Sequence, residues 1–245
     1  MNALNMLNGI NEKYIAEAGK IKNGKQKMII SVCAAAAACA VMAVGISGVL
    51  FPPQSYLLPL SEYSKNVKIS LYEADDMRYT QSLSDTEYLS PKQIFSKAES
   101  AFMAEILEIQ NVMMDFDGVI LLRAIATVRV EKSYLGSCSE GDTVTLLLPC
   151  PITEGYWVED TDVIAQMREG YRGIFLLKDH GEDDYYITNN AALLLSDAAD
   201  YGFYDGFRFA FVETESGLVF DEVHEKLQGA TSLSEAEEYV LKMLR

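Results

Sequence analysis

Hydrophobic and polar positions divide this chain into two unlike parts. Residues 28–51 form an unbroken run with no charged side chain, whereas beyond residue 65 apolar positions recur in short, strand-length groups separated by turn residues. Val67, Ile69 and Leu71 alternate with Lys68, Ser70 and Tyr72, the pattern of a strand with one wet face. Residues 75–89 read as a polar loop. Ser90-Pro91-Lys92-Gln93 has Ser at the N-cap, Pro at the first helical position and Gln closing a capping box, so a short helix is expected to about Glu99. Residues 102–110 and 119–135 then read as strands joined through Asp115-Phe116-Asp117-Gly118, where Gly118 supplies the positive φ of a hairpin turn. Residues 143–149 form a further strand with Val144, Leu146 and Leu148 on one side. A long excursion over 150–170 carries one helical turn near 163–167. It leads into the apolar run 171–178, a central strand. Shorter strands are expected at 185–188, 193–195, 207–212 and 218–221, and Ser232 with Glu235 opens an amphipathic helix reaching about Leu244. Seven to nine short strands make residues 65–230 a mainly β body, a barrel or sandwich with short helices, followed by the C-terminal helix over 231–245.

The uncharged run sets the topology. Its 24 residues would rise roughly 36 Å as a helix, enough to cross a hydrocarbon core of about 30 Å. Length favours a retained transmembrane helix over a cleaved signal, whose apolar region is shorter. Seven alanines weaken insertion, and Ala38-Cys39-Ala40 also suits cleavage, or lipidation at Cys39, so those two readings stay open. Five lysines precede the run and the first basic residue after it is Lys65. The positive-inside rule therefore makes 1–27 a cytoplasmic tail, 28–51 the span, 52–64 a Pro-containing linker and the remainder extracytoplasmic. The membrane bilayer is thus one expected partner, and a protein partner outside the membrane is a second.

Charge sharpens the division. Five Lys against two Glu make residues 1–27 net +3, which leaves −19 for the rest of a chain whose total is −16. So acidic a body repels phosphate, and nucleic acid is excluded as its partner. Four cysteines are too few for a disulfide scaffold. Cys138 and Cys150 flank the expected strand 143–149, which would hold them apart, and a bridge closing a loop of about a dozen residues stays open as the alternative.

Residues 10–18 (INEKYIAEA), followed by lysines and an Ala-rich span, resemble the start of a broad set of single-pass membrane proteins of Gram-positive anaerobes. Some of these sit beside extracytoplasmic-function sigma factors, which implies a regulatory role of the anti-sigma kind. Over residues 90–190, the order short helix, strand, long strand, strand ending in Pro, long loop, Gly-plus-apolar strand resembles small OB-like barrels of secreted bacterial proteins. That resemblance implies a surface for extended ligands, although fold alone does not establish function.

Catalytic motifs are missing from the sequence. There is no nucleophile elbow, phosphate-cradling glycine loop, dinucleotide fingerprint or zinc-protease motif, and nothing calls for a cofactor. His224-Glu225 lacks the second His of a zinc helix. Tyr156, Trp157, Glu159, Asp160 and Asp162 in the long excursion are the candidate ligand-binding residues. Asp179, Glu182, Asp183 and Asp184 beside His180 are candidate oxygen ligands for Ca²⁺, placed at a hairpin tip. Two functions follow: a membrane-tethered binding or regulatory module without catalysis, or a cell-surface hydrolase using carboxylates beside Trp157.

Overall fold

The longest apolar alternations in the chain fold against each other. In a computed structural model, which describes residues 57–71, 87–153 and 158–245, β2 (Ser100–Phe116) and β3 (Val119–Leu135) form a hairpin of two 17-residue strands. Its turn is two residues long. Asp117 and Gly118 take φ of 52° and 94°, both positive, and the Gly118 N–H donates to Asp115 Oδ1 at 2.7 Å. That is the turn whose twist matches the strands it joins. β2 is longer than the 102–110 expected, because Met114 and Phe116 bury under a flanking layer and keep the alternation going to the turn.

The first half of β2 is apolar on both faces, and both are covered. Phe102, Ala104 and Ile106 face one cluster while Ala101 and Met103 face another. This half pairs on one edge with β3 and on the other with β5 (Arg172–Asp179), Ser100 opposite Leu177 through Glu105 opposite Arg172. β3 pairs with β4 (Thr143–Leu148), β4 runs parallel to β8 (Tyr201–Gly202), and β8 lies antiparallel to β5. The pairings therefore return to their start, β2–β3–β4–β8–β5–β2. Register breaks after Ala101, Met103 and Ile106 bend β2 where it serves both neighbours. β9 (Ala210–Thr214) extends β5, β10 (Gly217–Val219) extends β9, and β1 (Val67–Leu71) lies on the outer half of β2. A separate two-stranded ribbon joins β6 (Tyr185–Thr188) to β7 (Ala191–Leu194).

Three clusters hold these layers together. The largest draws on β2, β3, β4, β5, β8 and β9, with Phe102, Val128, Leu146, Leu148 and Phe175 among its members and the 3-10 turn Ile164–Gln166 packed in with them. Each such side chain contributes roughly 1.5–3 kcal/mol by leaving water. The second lies beneath the two helices, α1 (Pro91–Lys97) and α2 (Leu233–Met243). Both helices start as expected: the Ser90 N–H donates to Gln93 Oε1 at 2.9 Å and the Ser232 N–H to Glu235 Oε2 at 3.1 Å. The Thr231 N–H, followed by the Ser232 hydroxyl and N–H, donates to Glu235 and holds its carboxyl below the ordinary pKa. α1 stops at Lys97 because Ala98 is already extended toward β2. The third cluster joins β1, the outer half of the hairpin and the β6–β7 ribbon.

Some expectations change. From Leu57 the linker is part of the body: the Leu58 N–H donates to Ile69 O, and the hydroxyls of Ser61 and Ser64 both donate to Asp197. Ser70 is consequently buried, although the alternation placed it on a wet face. β9 starts at Ala210 rather than 207, because Asp205 Oδ1 accepts the N–H groups of Phe207 and Arg208 and turns the chain there. β8 was not expected at all. Cys138 and Cys150 are free thiols on either side of β4. Residues 28–51 and most of the polar loop 75–89 lie outside the described residues, and among those described no helix is long and apolar enough to cross a membrane.

Candidate functional site

An open groove of about 1520 Å³ lies beside the second cluster. Four parts of the chain supply it: the approach to α1 at residues 87–89, the turn at Glu159 and Asp160, the turn before β9 with the loop after β10, and the C-terminal half of α2. Tyr88, Phe207 and Phe220 place rings on it, and Glu87, Glu159, Asp160, Asp221, Glu222 and Glu225 line it against Arg208 and Lys226.

Its floor is a buried polar network. Arg208 and Asp205 form an ion pair at 2.8 Å with side chains only 7% and 8% exposed. Arg208 Nη1 also donates to Glu87 O at 2.7 Å, and its guanidinium lies 4.7 Å over the Phe207 ring. His224 is fully buried among Phe95, Phe211 and Tyr239. Its Nε2 lies 2.9 Å from Arg208 O and its Nδ1 3.1 Å from the Tyr239 hydroxyl. A carbonyl only accepts, so Nε2 carries the proton and Nδ1 accepts from Tyr239. Burial pushes His224 below its ordinary pKa, opposed by the bond to Arg208 O, and so the ring is neutral. Both ring nitrogens are spent on structure.

Gly206 locks the groove's rim to its floor. The Gly206 N–H donates to Asp160 O and the Ile164 N–H donates to Gly206 O, while an added Cβ would sit 2.7 Å from Thr161 Cα. Only glycine permits that approach.

Of the residues singled out in the sequence, Glu159 and Asp160 fall on this groove as chain neighbours on one rim. Asp162 is exposed and is not part of the lining. Tyr156 and Trp157 lie outside the described residues. The acidic group at 179–184 is not a hairpin tip. β5 ends at Asp179, and β6 belongs to the separate ribbon and pairs with β7, so the segment is a connection between sheets. Asp184 is taken up by Lys178 Nζ at 2.7 Å and the Gly181 N–H at 2.9 Å, which hold its carboxyl below the ordinary range. Glu182 and Asp183 point to solvent, His180 Nδ1 donates to Ala199 O, and burial lowers the His180 pKa. Among the described residues no group of three or more His, Cys, Asp or Glu is placed to hold a metal ion.

Of the floor residues, Asp205, Arg208 and Tyr239 were not singled out from sequence, and His224 entered only as half of a zinc motif. One signal was present: Arg208 stands in the otherwise apolar run FRFAFV, three residues after Asp205. A charge in such a run needs a partner, and the nearest acid supplies it. No family model, curated protein or solved structure matches this chain.

Proposed function

We propose that the chain is a single-pass membrane protein whose N-terminus is cytoplasmic and whose β body binds a partner outside the cell without catalysing a reaction. The observation that carries the binding reading is the groove floor, where Arg208, Asp205, His224 and Tyr239 are bonded to one another or to backbone. Such a floor holds a shape. A general base needs a nitrogen or carboxylate turned toward the substrate, and here the imidazole is spoken for on both sides. The hydrolase reading asks for two carboxyls facing each other across a sugar. Glu159 and Asp160, the carboxylates that reading named beside Trp157, are chain neighbours on a single rim of an open groove and do not face each other across it.

The order β2–β3–β4–β8–β5–β2, with β4 and β8 parallel, supports the OB-like barrel suggested by the sequence. Ligand identity does not follow from it. The acidic lining speaks against nucleic acid, the usual ligand of such barrels. The anchor rests on the uncharged residues 28–51 and the five lysines before them. The resemblance of the tail and span to sigma-factor-linked membrane proteins supports a regulatory role.

Two measurements test this. Protease applied to intact cells should digest residues 57–245 and spare 1–27; sparing the body overturns the topology. A photoreactive side chain at Tyr88, 83% exposed on the groove, should cross-link one partner in native membranes, and Glu222→Lys should abolish the adduct. An adduct indifferent to Glu222→Lys, or formed equally from Leu241 on α2, removes the groove from the account.

A further inference from the structure

We propose that the end of the body formed by the β2–β3 turn and β6 rests in the headgroup layer of the bilayer that anchors the chain. This rests on the membrane-anchor reading above. β6 exposes three consecutive large side chains, Tyr185, Tyr186 and Ile187, at 38%, 42% and 69%. It pairs with β7 alone, so its other edge is unpaired among the described residues. In free solution such an edge strand invites association with other chains. Tyr186 packs edge-on against Phe116 at 5.1 Å, and Phe116 pairs with Val119, itself exposed beside the turn. The ribbon therefore lies against the hairpin near its tip, and the exposed Tyr185 and Ile187 of β6 stand close to the exposed Val119. Tyr with aliphatic neighbours is the composition that settles at a membrane–water interface.

Chain length brings this surface to the membrane. Five residues separate Phe51, the end of the uncharged run, from Leu57, which bridges to Ser70 on β1. They span at most about 20 Å when fully extended. From Ser70 to Val67, which shares a row with Phe116 and Val119, is three residues, about 10 Å along the strand. Lys65 bridges to Ala192, whose partner on β6 is Ile187, so the ribbon is tied to the same stretch of chain. Charge does not drive the contact. Lys65 and Lys68 are outweighed by Glu62, Asp115 and Asp117 and by the exposed Glu182 and Asp183 just before β6, so the surface should settle on zwitterionic lipid and stay there at high salt.

The test uses the full chain in zwitterionic vesicles made with and without lipids brominated near the headgroup. Ile187→Trp and Val119→Trp are each placed in a Trp157→Phe background, with Leu241→Trp on α2 as the comparison. Emission from the first two should be quenched by bromine and unaffected by salt, while Leu241→Trp is not quenched. If Ile187→Trp and Val119→Trp are quenched no more than Leu241→Trp, while the chain resists alkaline carbonate extraction, the surface does not meet lipid and the anchor stands. If carbonate releases the chain, anchor and proposal both fail. Unquenched emission together with concentration-dependent cross-linking at Ile187 would mean that a second copy covers the surface, and overturns the proposal as well.

Discussion

Replacing Asp205 by Asn isolates the charge of the buried pair from its shape. The amide keeps an oxygen to accept the N–H groups of Phe207 and Arg208, which Oδ1 does now at 3.2 and 2.8 Å, so the turn before β9 survives. What is lost is the counter-charge to a guanidinium whose side chain is 7% exposed. Breaking a buried pair from one side costs about 3–5 kcal/mol, because the remaining charge keeps its desolvation penalty. Arg208 borders the open groove and still donates to Glu87 O, so the low end, about 3 kcal/mol, is expected. At roughly 2–4 °C per kcal/mol for a body of this size, the thermal midpoint should fall by about 6–12 °C. The assay is thermal unfolding of the full chain in detergent, with Lys132→Met for scale. That change breaks a pair to Glu237 in which the lysine is 54% exposed, and it should cost under about 1 kcal/mol. Asp205→Asn combined with Arg208→Met should recover part of the loss, since no unpaired charge is left buried. If Asp205→Asn melts within a degree or two of Lys132→Met, the pair is not holding the groove floor.

Three further outcomes follow from the same geometry. Gly136→Ala should destabilise by about 2 kcal/mol or more, because a Cβ there would meet Ser100 Oγ at 2.1 Å at a φ of 95°; Gly118→Ala, with positive φ but open space, should cost about 1 kcal/mol, both read from urea midpoints. His224 and His180 both have folded pKa values below the ordinary 6.5, so the unfolded chain takes up protons first, and stability should hold above pH 6.5 and fall as pH drops below it. His224→Gln should flatten part of that fall, and an unchanged slope would mean that the ring is not the group concerned. Burial raises the Cys150 thiol to about 11, so iodoacetamide at neutral pH should modify it only after denaturation; rapid labelling of native protein, read by peptide mapping, would contradict its place in the first cluster.

Local signals carried the elements. The Asp117-Gly118 turn and the capping pairs Ser90–Gln93 and Ser232–Glu235 are short-range chemistry, and each formed where its residues stand. Alternation likewise marked β4, since a half-buried strand reveals its period in its own side chains, while an unbroken apolar run of strand length marked the central β5, which is buried on both faces. Charge around residues 28–51 set the expected topology in the same local way. Pairing was different. Ala101 meets Leu176 and Leu146 meets Tyr201 across stretches of chain with no mark that names their partner, and β8, two residues long, exists only because β4 and β5 lie on either side of it. The groove followed from those pairings: Asp205, Arg208, His224 and Tyr239 come from three separate segments, and what joins them is the cost of burying a charge or an imidazole without a partner. That cost is felt only once the tertiary fold has removed the water.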